Sequence, residues 1–150
     1  MPNSSPPRER RIDYRAMLRR LCDRAELGPT ARESILSREM LSLAGIPITL
    51  QLEEWSSFVK VFAAVGPPQP ERAADVYRHL LEQHLALPAP FSLVAGLDAE
   101  TDSIVLYGFA PLPMTPEADE NFLAFLQGCA LAAANLRGEA PTSIDQITAV

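Results

Sequence analysis

The chain is poor in the residues from which active sites are built. Its 150 residues include two cysteines, two histidines and seven glycines, none of them clustered. Without a glycine-rich turn there is no phosphate cradle, and no nucleophile-elbow pattern occurs. His79 and His84 stand five apart in a helical segment, about 140° around the axis, so they cannot grip one metal ion. They read as surface or interface histidines. Cys22 and Cys129 are far apart, and each falls in an apolar helical stripe, as expected for buried thiols in a reducing compartment. Arg19 and Arg24 could lower the pKa of Cys22, but its apolar setting favours a structural role. No apolar run approaches the roughly 20 residues that span a bilayer. Met1–Arg11 is polar, proline-rich and basic, unlike a secretory leader. These absences predict a cytoplasmic chain with no membrane segment, no cofactor, no metal and no enzymatic activity.

Charge is unevenly spread. Residues 1–38 carry nine arginines against five acids, a balance of +4, whereas residues 39–150 carry four bases against fourteen acids, a balance of −10. A body so acidic repels phosphates and excludes nucleic acid as a partner. Asp13, Asp23 and Glu26 interleave with the arginines, which are expected on the solvated face of a helix. The acidic groups Glu53-Glu54 and Asp98, Glu100 and Asp102 fall in expected turns. The second lacks the glycine and the late glutamate of a calcium loop.

Residues 1–11 are expected to be a disordered arm, residues 12–137 one domain and residues 138–150 a loose tail. From Ile12 a helical period places Tyr14, Met17, Leu18, Leu21, Cys22 and Ala25 on one stripe, and Leu27-Gly28-Pro29 stops it. Thr30–Met40 reads as a short helix, or Met40–Ala44 as a first strand. Ile46, Ile48, Leu50 and Leu52 alternate as a strand, and Trp55–Val65 as the next. Pro70 suits the first position of a helix with a wide apolar face (Ala73, Val76, Tyr77, Leu80, Leu81, Leu85) that Leu87-Pro88 closes. Phe91–Asp98 and Ser103–Phe109 read as a hairpin. Thr115 and Pro116 open a last helix with a stripe of Ala118, Phe122, Phe125, Leu126, Cys129, Ala133 and Leu136. The sum is an α+β fold: an antiparallel twisted sheet of about five strands with three helices.

Apolar surface exceeds what one small sheet needs. The 70–86 helix is wide-faced, and both Trp55–Val65 and Ile104–Phe109 put apolar groups on two faces. At least one of these faces is expected to meet another chain.

The helix Val76-Tyr77-Arg78-His79-Leu80-Leu81-Glu82-Gln83-His84, the strands Phe91–Asp98 and Ile104–Phe109, Pro111-Leu112-Pro113 and the final amphipathic helix together resemble the class I type III secretion chaperones. The resemblance covers roughly residues 12–137 and rests on patterns of residue class. It implies the order α-β-β-β-α-β-β-α, a homodimer, and binding of the N-terminal segment of a secreted bacterial effector in extended form, without ATP. The export ATPase is a further candidate partner. On this reading the effector would meet Tyr14, Leu18, Leu21, Ile48, Leu50, Leu52 and Phe58, and the dimer would form through Val76, Tyr77, Leu80, Ile104, Leu106 and Tyr107. The alternative is a small α+β regulatory or sensory domain that binds a protein or a small ligand.

Overall fold

The computed structural model describes residues 7–86, 93–139 and 146–150. Among them run helices α1 (Pro7–Arg24) and α2 (Pro29–Arg38), strands β1 (Met40–Leu43), β2 (Ile46–Leu52) and β3 (Phe58–Gly66), helix α3 (Ala73–Ala86), strands β4 (Val94–Asp98) and β5 (Ser103–Pro111), helix α4 (Pro116–Arg137) and strand β6 (Ile147–Thr148). One antiparallel sheet holds the strands in the order β4-β5-β3-β2-β1-β6. The expected α+β class is what forms, with six strands rather than about five and four helices rather than three among the described residues.

The extra elements have local causes. Residues 30–45 hold both the helix and the strand that competed for them. Pro29 opens α2, and Glu39 ends it in the left-handed conformation (φ 55°), its N–H bonded to the Ile35 carbonyl. That turn releases the chain directly into β1. Ala44 and Gly45, both at positive φ, then make the two-residue hairpin that sets Leu43 opposite Ile46. The tail expected to be loose contributes β6, which pairs antiparallel with β1.

Helix α1 starts at Pro7, inside the arm expected to be disordered. Its first turn is tied down because Arg10 is buried and its Nη2 donates to the Glu54 carbonyl at 2.8 Å. Strand β3 starts at Phe58, later than expected, and leaves Trp55 82% exposed in the link from β2. Helix α3 starts at Ala73, with Pro70 in the preceding turn. The segment around Phe91 and the end at Leu87-Pro88 lie outside the described residues.

The core lies on one face of the sheet. Leu41 and Leu43, Ile46, Ile48 and Leu50, Val59, Val61 and Ala63, and Ile104 and Leu106 alternate inward and are buried with the stripes of α1 and α4. Thr115 caps α4 by accepting from the Ala118 N–H at 3.1 Å, and Gly138 closes it in the left-handed conformation. The arginines of α1 do more than face solvent. Arg20 pairs with Asp119 at 2.7 Å and donates to the Pro113 carbonyl, and Arg24 pairs with Glu120. Both acids lie in the first turns of α4, where they also suit the helix dipole.

Candidate protein-binding surfaces

Period-two alternation leaves the second face of the sheet to Thr49 and Gln51, to Phe58, Lys60, Phe62 and Ala64, and to Val105, Tyr107 and Phe109. The register aligns them in rows: Thr49 beside Phe62 and then Tyr107, and Gln51 beside Lys60 and then Phe109. The ring centroids of Phe62 and Tyr107 lie 6.1 Å apart, and those of Tyr107 and Phe109 lie 6.4 Å apart, edge to face. The Lys60 ammonium, from the only lysine in the chain, stands over all three rings at 5.1 to 5.5 Å. Each ring offers its negative face to that cation. Phe58 and Phe109 remain 44% and 48% exposed. The result is a ribbon of aromatic surface with one positive charge on a chain of net charge −6.

A second apolar surface lies on the core side of the sheet. Ala95 and Leu97 sit opposite Leu106 and Ile104 and so point towards the core side. Helix α3 faces them across a shallow cavity of about 170 Å³ lined by Tyr77, Leu80 and Leu81. The helix covers them incompletely: Leu97 is 54% and Leu81 68% exposed. None of residues 73–82 of α3 is buried. Towards the other end of β5 a larger cleft, about 490 Å³, opens between Phe109–Pro111 and Ala118, Asn121, Phe122 and Phe125 of α4. Gly108 lets Phe125 approach β5, since a Cβ there would stand 3.0 Å from Phe125 Cζ.

These placements correct most of the residue assignments made from sequence. Tyr14, Leu18, Leu21, Ile48 and Leu50, expected to touch an effector, are core residues with essentially no exposed area. A stripe that is apolar in sequence is apolar because the sheet already covers it. Tyr14 also keeps its hydroxyl buried without a hydrogen-bond partner among the described residues. Burial first, and then the charge of Glu39, push its ionisation above the usual phenol range. Leu52 is half-buried, and only Phe58 is openly exposed.

The six residues assigned to a dimer do not share a surface. Ile104 and Leu106 are buried in the core, and Tyr107, one position on from Leu106, points to the opposite face. Val76, Tyr77 and Leu80 do lie together on α3, against β4 and β5. Sequence reasoning passed over Lys60, Phe109 and Leu97. The signal for the first two was the doubly apolar character of β3 and β5, but the pairing register that aligns them is not visible in one strand alone.

Neither cysteine opens onto these surfaces. Cys22 and Cys129 are buried and free. Burial raises both thiols, that of Cys129 to about 12, which keeps them protonated and poorly nucleophilic. The Asp98 carboxylate accepts from the Glu100 N–H at 3.0 Å, an ordinary turn contact. Among the described residues no helix is long and apolar enough to cross a membrane, and no group of His, Cys, Asp and Glu could hold a metal ion.

No family model matches the chain, and no curated protein matches it. Among solved structures, a chain in the crystal structure of the ExsC–ExsE complex is similar, with a TM-score of 0.53 and 18% identity over 85% of this chain and 93% of that one. At that identity the likeness is one of fold.

Proposed function

We propose that this protein is a cytoplasmic, dimeric chaperone that holds the N-terminal segment of a type III secreted effector extended and soluble without ATP. The observation that carries the reading is the aromatic ribbon of Phe58, Phe62, Tyr107 and Phe109, the first and last exposed and the middle two half-buried, on the sheet face opposite the chain's own core. Contiguous exposed apolar surface marks a binding face, and aromatic side chains anchor such faces at low entropic cost. The fold shared with a chain taken from a two-protein complex supports the same direction. So does the patterned resemblance of residues 12–137 to class I type III secretion chaperones. The second surface, Tyr77 and Leu81 on α3 with Leu97 on β4, is assigned to the dimer. An isologous contact there completes the partial cover that α3 gives to β4, and about 1,600 Å² in total is an ordinary size for a stable pair. No catalytic step is assigned to the chain.

Native mass spectrometry of the protein isolated from its own cytoplasm tests this reading. Two chains with one larger protein are expected, held through the N-terminal region of that protein. Phe109→Glu is expected to remain folded and dimeric and to lose the larger protein; a variant that keeps it removes the ribbon from the binding site. A second reading, a regulatory domain with a small apolar ligand, is favoured by the roughly 490 Å³ cleft between β5 and α4, a size common for ligand sites. A single chain carrying a small molecule would decide for it.

A further inference from the structure

One cation stands on the aromatic face of the sheet. The ammonium of Lys60 lies 5.1 Å from the ring centroids of Phe62 and Tyr107 and 5.5 Å from that of Phe109. Its ladder neighbours Gln51 and Phe109 are uncharged, as are Thr49, Phe62 and Tyr107 in the next row. Two acids stand at the margins of the face. Glu53 adjoins Phe58, whose carbonyl accepts from its N–H. Asp98 sits opposite Ser103 at the β4–β5 turn, its carboxylate accepting from the Glu100 N–H. Neither pairs with Lys60, and among the described residues no carboxylate does. The rings hold the ammonium by their negative faces, and since Lys60 is only half-buried, solvent still reaches it.

We propose that Lys60 sets the specificity of this face: the partner segment it takes is apolar and carries one aspartate or glutamate that closes on the Lys60 ammonium. The proposal rests on the reading of the aromatic ribbon as a binding face and names the chemistry of what that face binds. The physical reason is desolvation. A segment that covers Phe58, Phe62, Tyr107 and Phe109 strips solvent from an ammonium in their midst, and the three rings offset only part of that loss. A carboxylate from the partner makes good the rest, through a charge-assisted hydrogen bond in a site from which water has been expelled. An apolar segment without the acid leaves the charge buried and unpaired, and one with a lysine or arginine at that place adds repulsion. The apolar residues on either side of the acid cover the rings. The acid itself fixes the register of the segment, because the ribbon offers a single cation at a single position. The net charge of −6 sharpens the choice: away from Lys60 further acids are repelled, so one carboxylate at the right place is preferred to a segment that is acidic throughout.

Selection of phage-displayed random peptides on the full-length chain tests this without the natural partner. Enriched peptides are expected to share one aspartate or glutamate set among apolar residues. The strongest of them is then made with a fluorescent label, beside a counterpart whose acid is replaced by the matching amide. The acid form should bind the wild type about tenfold more tightly than the amide form, and the ratio should fall to about one on Lys60→Met. If the added apolar surface makes that variant aggregate, Lys60→Gln gives the same comparison. Because Lys60 is the only lysine, protein labelled at lysine gives one side-chain NMR signal, which the acid peptide should shift. Enriched peptides that lack an acid, an acid preference that survives the loss of Lys60, or a selection that enriches nothing would each overturn the proposal. Acid-free peptides that bind the wild type and not Phe109→Glu would remove the carboxylate and leave the ribbon as a binding face. The effector reading is decided apart from this, by the mass measurement.

Discussion

Helices α4 and α3 carry similar apolar stripes and use them in opposite ways. In α4, Phe122, Leu123, Leu126, Cys129 and Ala133 are buried, its N-terminus is capped by Thr115 and its C-terminus by Gly138. In α3, Val76 and Leu80 are half-buried and Leu81 is exposed. The difference is one of register with the sheet. Helix α4 lies against β3, β5, β2 and β1, where inward residues from several strands meet it. Helix α3 lies over the short strand β4 and the end of β5, where Tyr77, Leu80 and Leu81 meet Ala95, Leu97 and Ile104. An apolar stripe therefore reports that a helix must cover something. Whether the covered surface belongs to the same chain depends on how much sheet lies beneath it.

The contrast is broken most severely in the core. Leu126→Ala removes a fully buried side chain and leaves a cavity that the surrounding strands cannot fill, so a loss of about 2–5 kcal/mol in urea denaturation is expected. Alkaline pH acts on the same helix. The Cys129 thiol is held by burial at about 12, against 9.0 for an unperturbed thiol. Below pH 9 it is protonated in both states and stability is unaffected. Above 9 the unfolded chain loses the proton and the folded chain keeps it, so stability falls as pH rises towards 12. Cys129→Ala is expected to flatten that decline between pH 9 and 11, leaving whatever Tyr14 and Cys22, also raised by burial, contribute. A smaller effect is expected at the helix end. Thr115→Ala removes the acceptor of the Ala118 N–H and should cost about 1 kcal/mol, measured by the same denaturation.

The same distinction separates what was legible in the sequence from what was not. The stripes of α1 and α4, the alternation of β2 and the β4–β5 hairpin could be read because helical and strand periods are local properties. Strand β6 could not, because Ile147 and Thr148 are too few to show a period, and they form a strand only because β1 offers an open edge. Residues 30–45 stayed ambiguous because the break between α2 and β1 rests on one residue, Glu39, in a conformation its type does not announce. The candidate site was the least legible part. Tyr14, Leu18, Ile48 and Leu50 look identical in sequence whether they face a sheet or a partner. The aromatic ribbon exists only once Lys60 is paired beside Phe109 and Phe62 beside Tyr107. Such pairings join residues nearly fifty positions apart, and no local pattern encodes them.

The smallest effect on stability should be the most informative. Leu81 is a leucine on an apolar helix stripe, and by pattern alone Leu81→Glu should be as damaging as a charge placed at Leu126. Its side chain is 68% exposed, however, so the glutamate remains hydrated and the folded chain loses little packing. A change within about 0.5 kcal/mol in denaturation is expected, as for surface substitutions generally. The same carboxylate placed at a two-fold contact would face its own symmetry copy or lie desolvated, both costly. With the proposed dimer, light scattering should therefore report two chains for the wild type and a single chain for the variant. Unfolding would mean that α3 belongs to the core and that the contrast with α4 is false. An intact dimer would move the subunit contact away from α3 and leave its exposed stripe to the effector.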